Sequence, residues 1–108
     1  MPSRLDRIRD EGLRTSLAEA QAALKSGDYT TVVRLSSEAY AELLRRKPEV
    51  LQGQQRFRSV MFFPRLGAQL QLDQNDNPCI IYDREKFIFS EAVTYFEFAL
   101  DSLIKQGL

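Results

Sequence analysis

No histidine occurs among the 108 residues of this chain. That absence removes the commonest proton acceptor near neutral pH, the Ser-His-Asp and Cys-His nucleophile arrangements, and every histidine-bearing metal site. The carboxylates do not replace it. Asp10 with Glu11, and Asp83 with Glu85, are close in sequence, but catalytic carboxylates must also share a cleft, and such pairs read as solvated surface charge. Asp73, Asn75 and Asn77 match the first, third and fifth places of a calcium loop. Pro78 and Arg84 then stand where glycine and a bidentate glutamate are needed, so turn chemistry explains the run. Gly12, Gly27, Gly53, Gly67 and Gly107 are dispersed, with no phosphate-cradling motif among them. Cys79 lies beside Ile80 and Ile81 with no basic residue until Arg84, the setting of a buried, inert thiol. A single cysteine cannot form an internal disulfide or a zinc cluster, which points to a reducing, cytoplasmic setting. The expectation is a non-enzymatic protein without cofactor or metal.

Charge offers a second kind of chemistry. The formal net charge is zero, yet Arg45, Arg46, Lys47, Arg56, Arg58 and Arg65 face Glu49 alone between positions 45 and 65. Arg56-Phe57-Arg58, with Phe62, Phe63 and Arg65 nearby, mixes cations with rings, the ingredients of a single-strand nucleic-acid surface. The competing reading is local: Arg45, Arg46 and Lys47 occupy the last turn of a helix, where cations complement the carbonyl end of the dipole. The neutral whole-chain charge favours it, because strong nucleic-acid binding leaves a basic footprint.

The elements that would position these residues are mainly helical. Leu5, Ile8, Leu13, Leu17, Ala20 and Leu24 predict one amphipathic helix over about 3–25, with Gly12 as an interior cost of about 1 kcal/mol or a point of close approach. Gly27 suits a left-handed helix end, and Asp28 can cap the next helix. That helix runs from Tyr29 to about Lys47 on a stripe of Tyr29, Val32, Val33, Ser36, Ala39, Tyr40, Leu43 and Leu44. Pro48 ends it and can open a third helix over 49–62. From Leu66 the period changes to alternation, and a turn-rich stretch at 73–78 predicts a small β-hairpin over 66–82.

The last helix has Ser90 as its cap or begins a turn earlier, near Arg84. Ala92, Val93, Phe96, Ala99, Leu100, Leu103 and Ile104 make its core face. Ile88, Tyr95, Phe98 and Ser102 form a second stripe. The hairpin or the first helix could cover that stripe, or a second copy of the chain could, since aromatic residues anchor interfaces. The predicted fold is thus mainly α: a single domain over 1–108, a small antiparallel bundle of about four helices with a short β-hairpin between the third and the last. The apolar runs are too short to cross a membrane, and the opening residues lead into charges instead of an apolar signal core.

The run from Ala22 to Val33, with Ser37-Glu38-Ala39-Tyr40 after it, resembles the helical hairpin of tetratricopeptide repeats and the central hairpin of HEPN domains. Val32 and Ser36 depart from the repeat signature, Pro48 comes late, and no second copy follows, so a repeat array is excluded. The long second helix and the closing helix favour the HEPN-like bundle. HEPN ribonucleases use an arginine and histidine pair, and without histidine that activity is not implied. The resemblance implies a helical bundle that dimerises or partners another protein. The sequence therefore predicts a cytoplasmic protein-protein interaction or assembly domain, contacting itself or a partner through the aromatic stripe of the last helix or the edge of the hairpin; the alternative is a nucleic-acid-associated accessory protein using the basic stretch.

Overall fold

Local chemistry at Gly27 and Asp28 sets the first two helices. In the computed structural model, which describes residues 4–50, 68–72 as backbone, 74, 75, 77–82 and 84–108, Gly27 adopts a φ of 86°. The Gly27 amide donates to Leu24 and the Asp28 amide to Ala23, the paired bonds that close a helix on a left-handed residue. Asp28 then accepts from the Thr31 amide and hydroxyl. Helix α1 is Glu11–Ser26 and α2 is Tyr29–Arg46.

The first helix is shorter than its apolar spacing predicts. Arg4–Arg7 form a separate 3-10 turn, and the Asp10 carboxylate accepts from the Leu13 amide at 2.9 Å to start α1. Leu5 and Ile8 still reach the core, which is why their spacing mimics one continuous helix. Gly12 consequently lies in the first turn of α1, where the predicted interior cost does not arise.

Lys47 ends α2, and Pro48–Val50 make one 3-10 turn. The rest of the predicted third helix, 51–62, and Pro64 lie outside the described residues. Strands β1 (Ala68–Leu72) and β2 (Pro78–Tyr82) pair antiparallel, from Ala68 opposite Tyr82 to Leu72 opposite Pro78. Helix α3 is Phe89–Lys105. Ser90 is not its cap: it sits inside the first turn, and the Glu91 carboxylate instead reaches back to accept from the Ile88 amide at 3.0 Å. The chain is mainly α, with three α-helices and this strand pair among the described residues.

The order of neighbours fixes the topology. Arg45 near the end of α2 donates to the Pro78 carbonyl, while Arg34 nearer its start lies over the Tyr82 ring. Strand β2 therefore runs back along α2 and returns the chain to that helix's beginning, where Thr30 donates to the Glu85 carbonyl. Helix α3 then starts beside Tyr29, whose ring meets Phe89 at 5.7 Å. Tyr40 meets Phe98 at 4.9 Å midway, and the Lys47 ammonium reaches the Gln106 carbonyl at the far end. Helices α2 and α3 are thus parallel. Helices α1 and α2 are antiparallel, since Arg46 at the end of α2 pairs with Asp10 at the start of α1, and β2 supplies the return that sets α3 parallel to α2.

The core lies where the three helices meet: Leu13, Leu17 and Ala20 of α1, Val32, Val33, Tyr40, Leu43 and Leu44 of α2, and Ala92, Tyr95, Phe96, Ala99, Leu100 and Leu103 of α3. Small side chains at Ser36, Ala39 and Ala41 are buried within it, which lets the helix axes approach closely. The Ser36 hydroxyl is fully buried without a hydrogen-bond partner among the described residues. A buried unpaired hydroxyl costs roughly 1–3 kcal/mol. Ser36→Ala is accordingly expected to raise the urea midpoint by an amount worth about 1 kcal/mol. A lower midpoint would show that a water satisfies the hydroxyl.

Candidate functional site

The four residues of the predicted interface stripe separate into different environments. Tyr95 is 0% exposed, with the Phe87 ring 6.4 Å away and Tyr82 against Phe87 in turn at 6.5 Å. The segment joining β2 to α3 therefore covers Tyr95, and its ring is core instead of surface. Phe98 is half-buried against Tyr40, and the Ser102 hydroxyl donates to the Phe98 carbonyl at 2.7 Å. Only Ile88 is fully open, at 61% exposure.

Phe89 is 55% exposed and Ile81 45%; with Ile88 they are the exposed large hydrophobics among the described residues. Sequence periodicity gave Phe89 no part in the interface: the helix start was open between Arg84 and Ser90, and Phe89 was assigned to neither stripe. Ile88 and Phe89 are consecutive at the start of α3, and the Phe89 ring rests edge-on against Tyr29 at the start of α2.

The basic stretch is largely committed to the fold. Arg45 pairs with Glu42 at 3.0 Å, and Arg46 bridges Glu42 and Asp10. Lys47 is bonded to the Gln106 carbonyl at the end of α3, a cation on the negative end of a helix dipole. Arg56, Arg58 and Arg65 lie outside the described residues. The Arg46 guanidinium beside Asp10 holds that carboxyl below its ordinary range, and Arg46 with Arg45 does the same for Glu42. Chain ends converge on this network, since the Asp10 amide donates to the Leu108 carbonyl at 2.6 Å.

Two phenols are also perturbed. Burial pushes Tyr82 up to about 12, with Glu38 adding to the effect and the Ser37 hydroxyl and Arg34 opposing it. Burial pushes Tyr40 higher still. Both stay protonated at neutral pH, so neither is a ready base or nucleophile. Cys79 is half-buried. Asp10 is spent on a helix cap and an ion pair, Glu11 and Glu85 are exposed, and Asp73 and Asp83 lie outside the described residues. Among the described residues no cluster of three or more Cys, Asp or Glu could hold a metal ion, and no helix is long and apolar enough to cross a membrane.

Beside Phe98 and Ser102 the C-terminal halves of α2 and α3 leave a cleft of about 230 Å³. Among the described residues Tyr40, Leu43, Val50, Lys105 and Gln106 also line it. Comparison of the chain with family models, with curated proteins and with solved structures finds no match.

Proposed function

We propose that this chain is a non-enzymatic interaction or assembly domain of a reducing, cytoplasmic setting, which engages a protein partner or a second copy of itself through the end of the molecule where α2 and α3 begin. The observation that carries this reading is the pair Ile88 and Phe89, side by side and more than half exposed at the first turn of α3, with Tyr29 extending the apolar surface. Exposed aromatic and aliphatic side chains grouped at one place are the usual anchors of an interface. Of the predicted stripe, Ile88 belongs to this surface. A helical bundle of HEPN-like or tetratricopeptide-like type bearing a β-hairpin is the architecture that goes with it.

The nucleic-acid alternative has less support, because the described half of its basic stretch is already bound to Glu42, Asp10 and the end of α3. Phosphate would have to displace those partners.

The test compares the wild-type chain with an Ile88→Glu, Phe89→Glu double variant, in sedimentation across a concentration series and in affinity capture from the source organism. Association, with itself or with a captured protein, is expected for wild type and lost in the variant, while the helical circular dichroism is unchanged. A wild-type chain that stays monomeric and captures nothing the variant does not would sink the reading.

A further inference from the structure

The cleft between the C-terminal halves of α2 and α3 lies at the opposite end of the molecule from the surface just described, and its chemistry is of a different kind. Its walls are apolar: Leu43, Val50 and the Phe98 ring. Among the described residues no carboxylate lines it, and the Tyr40 phenol, raised by burial, carries no charge at neutral pH. Lys105 stands exposed at the rim without an ion pair to any described residue. The Lys47 ammonium is already taken up by the carbonyl of Gln106, which leaves Lys105 as the cation among the described lining residues. An apolar interior with the Lys105 ammonium at its rim selects a molecule with a hydrophobic body and an anionic head. Size narrows the choice, since a dry cavity of roughly 150 Å³ accepts a benzene ring. The 230 Å³ here accommodates one ring and a short substituent.

We infer that this cleft binds a small single-ring aromatic carboxylate, with the ring against Leu43, Val50 and Phe98 and the carboxylate at Lys105. The Ser102 hydroxyl, which already donates to the Phe98 carbonyl, keeps lone pairs that can accept but has no proton to offer. Lys105 is therefore the group that discriminates an acid from its neutral analogue. A ligand of this size binds weakly, with a dissociation constant in the high-micromolar to millimolar range.

The experiment titrates the full ¹⁵N-labelled chain with 3-phenylpropionate and, separately, with 3-phenylpropionamide, following backbone amide resonances. Saturable shifts are expected at Phe98, Ser102 and Gln106, with Tyr29 and Phe89 at the other end unmoved. The amide should bind about fivefold more weakly, the yield of one solvent-touching ion pair. Lys105→Met should erase the difference between acid and amide, and Ser102→Leu, which fills the cleft, should abolish binding of both. If Ser102→Leu does not fold, the exposed Lys105→Met carries the test alone. Absence of saturation at millimolar ligand, shifts centred away from the cleft, or equal affinity for acid and amide would each overturn the assignment.

Discussion

Tyr95→Ala is expected to lower the unfolding free energy by about 3–5 kcal/mol, the usual cost of deleting a buried aromatic ring. Tyr95 is 0% exposed and fills the space between α3 and the Phe87 segment. Few domains of this size hold more than about 5–15 kcal/mol in total, so the thermal midpoint should fall by on the order of 15 °C or more. Phe89→Glu, six residues earlier on the same helix, removes an exposed ring and one edge-on aromatic contact worth about 0.5–1.5 kcal/mol, and should move the midpoint by only a few degrees. Tyr95→Phe keeps the ring and should stay close to wild type. The contrast separates core from interface: an alanine variant that melts within about 3 °C of wild type would place Tyr95 at the surface, since one kcal/mol alone shifts a domain this small by more than that.

That contrast also marks what could be read from the chain alone. The turn at Gly27 and Asp28 and the ending of α2 before Pro48 were legible, because caps and breakers act through neighbours in sequence. The face that Tyr95 presents was not. Its spacing with Ile88, Phe98 and Ser102 does describe one side of a helix, and periodicity reports sidedness without naming what covers each side. Cover comes from Phe87 and Tyr82, which reach α3 only because β2 runs back along α2. The same return makes α2 and α3 parallel, and no local signal in either helix encodes it. The basic stretch illustrates the converse: its charges were visible, but the partners that absorb Arg46 and Lys47, Asp10 and the Gln106 carbonyl, are 36 and 59 positions away. Of the residues at the exposed end, Ile88 was singled out and Phe89 was not: the helix start was open between Arg84 and Ser90, and Phe89 was assigned to neither stripe.

Glu91→Ala should be the costliest change among the charged residues, at about 2 kcal/mol. Glu91 is 7% exposed and performs two tasks at once. One carboxylate oxygen accepts from the Ile88 amide, and the other pairs with Arg84, whose guanidinium also lies over the Phe87 ring at 5.0 Å. A helix cap is worth roughly 0.5–2 kcal/mol; the ion pair adds less than a fully buried one because Arg84 is 44% exposed on its side chain. Glu91→Gln keeps an acceptor for Ile88 and should cost about half as much. The Arg84 hydrogen bond, chiefly, lowers the Glu91 carboxyl below its ordinary range, with burial acting against it. A carboxyl depressed in the folded state stabilises above its unfolded pKa and loses that contribution as pH falls through the folded value. The stability gap between wild type and Glu91→Gln should therefore be flat at neutral pH and close only on acidification, below the ordinary carboxylate range. Asp10 and Glu42 are depressed in the same direction by Arg46, so both proteins lose stability in acid and the difference between their urea midpoints isolates Glu91. A gap that persists unchanged to the lowest pH at which the chain folds would mean that Glu91 acts through its shape and not its charge.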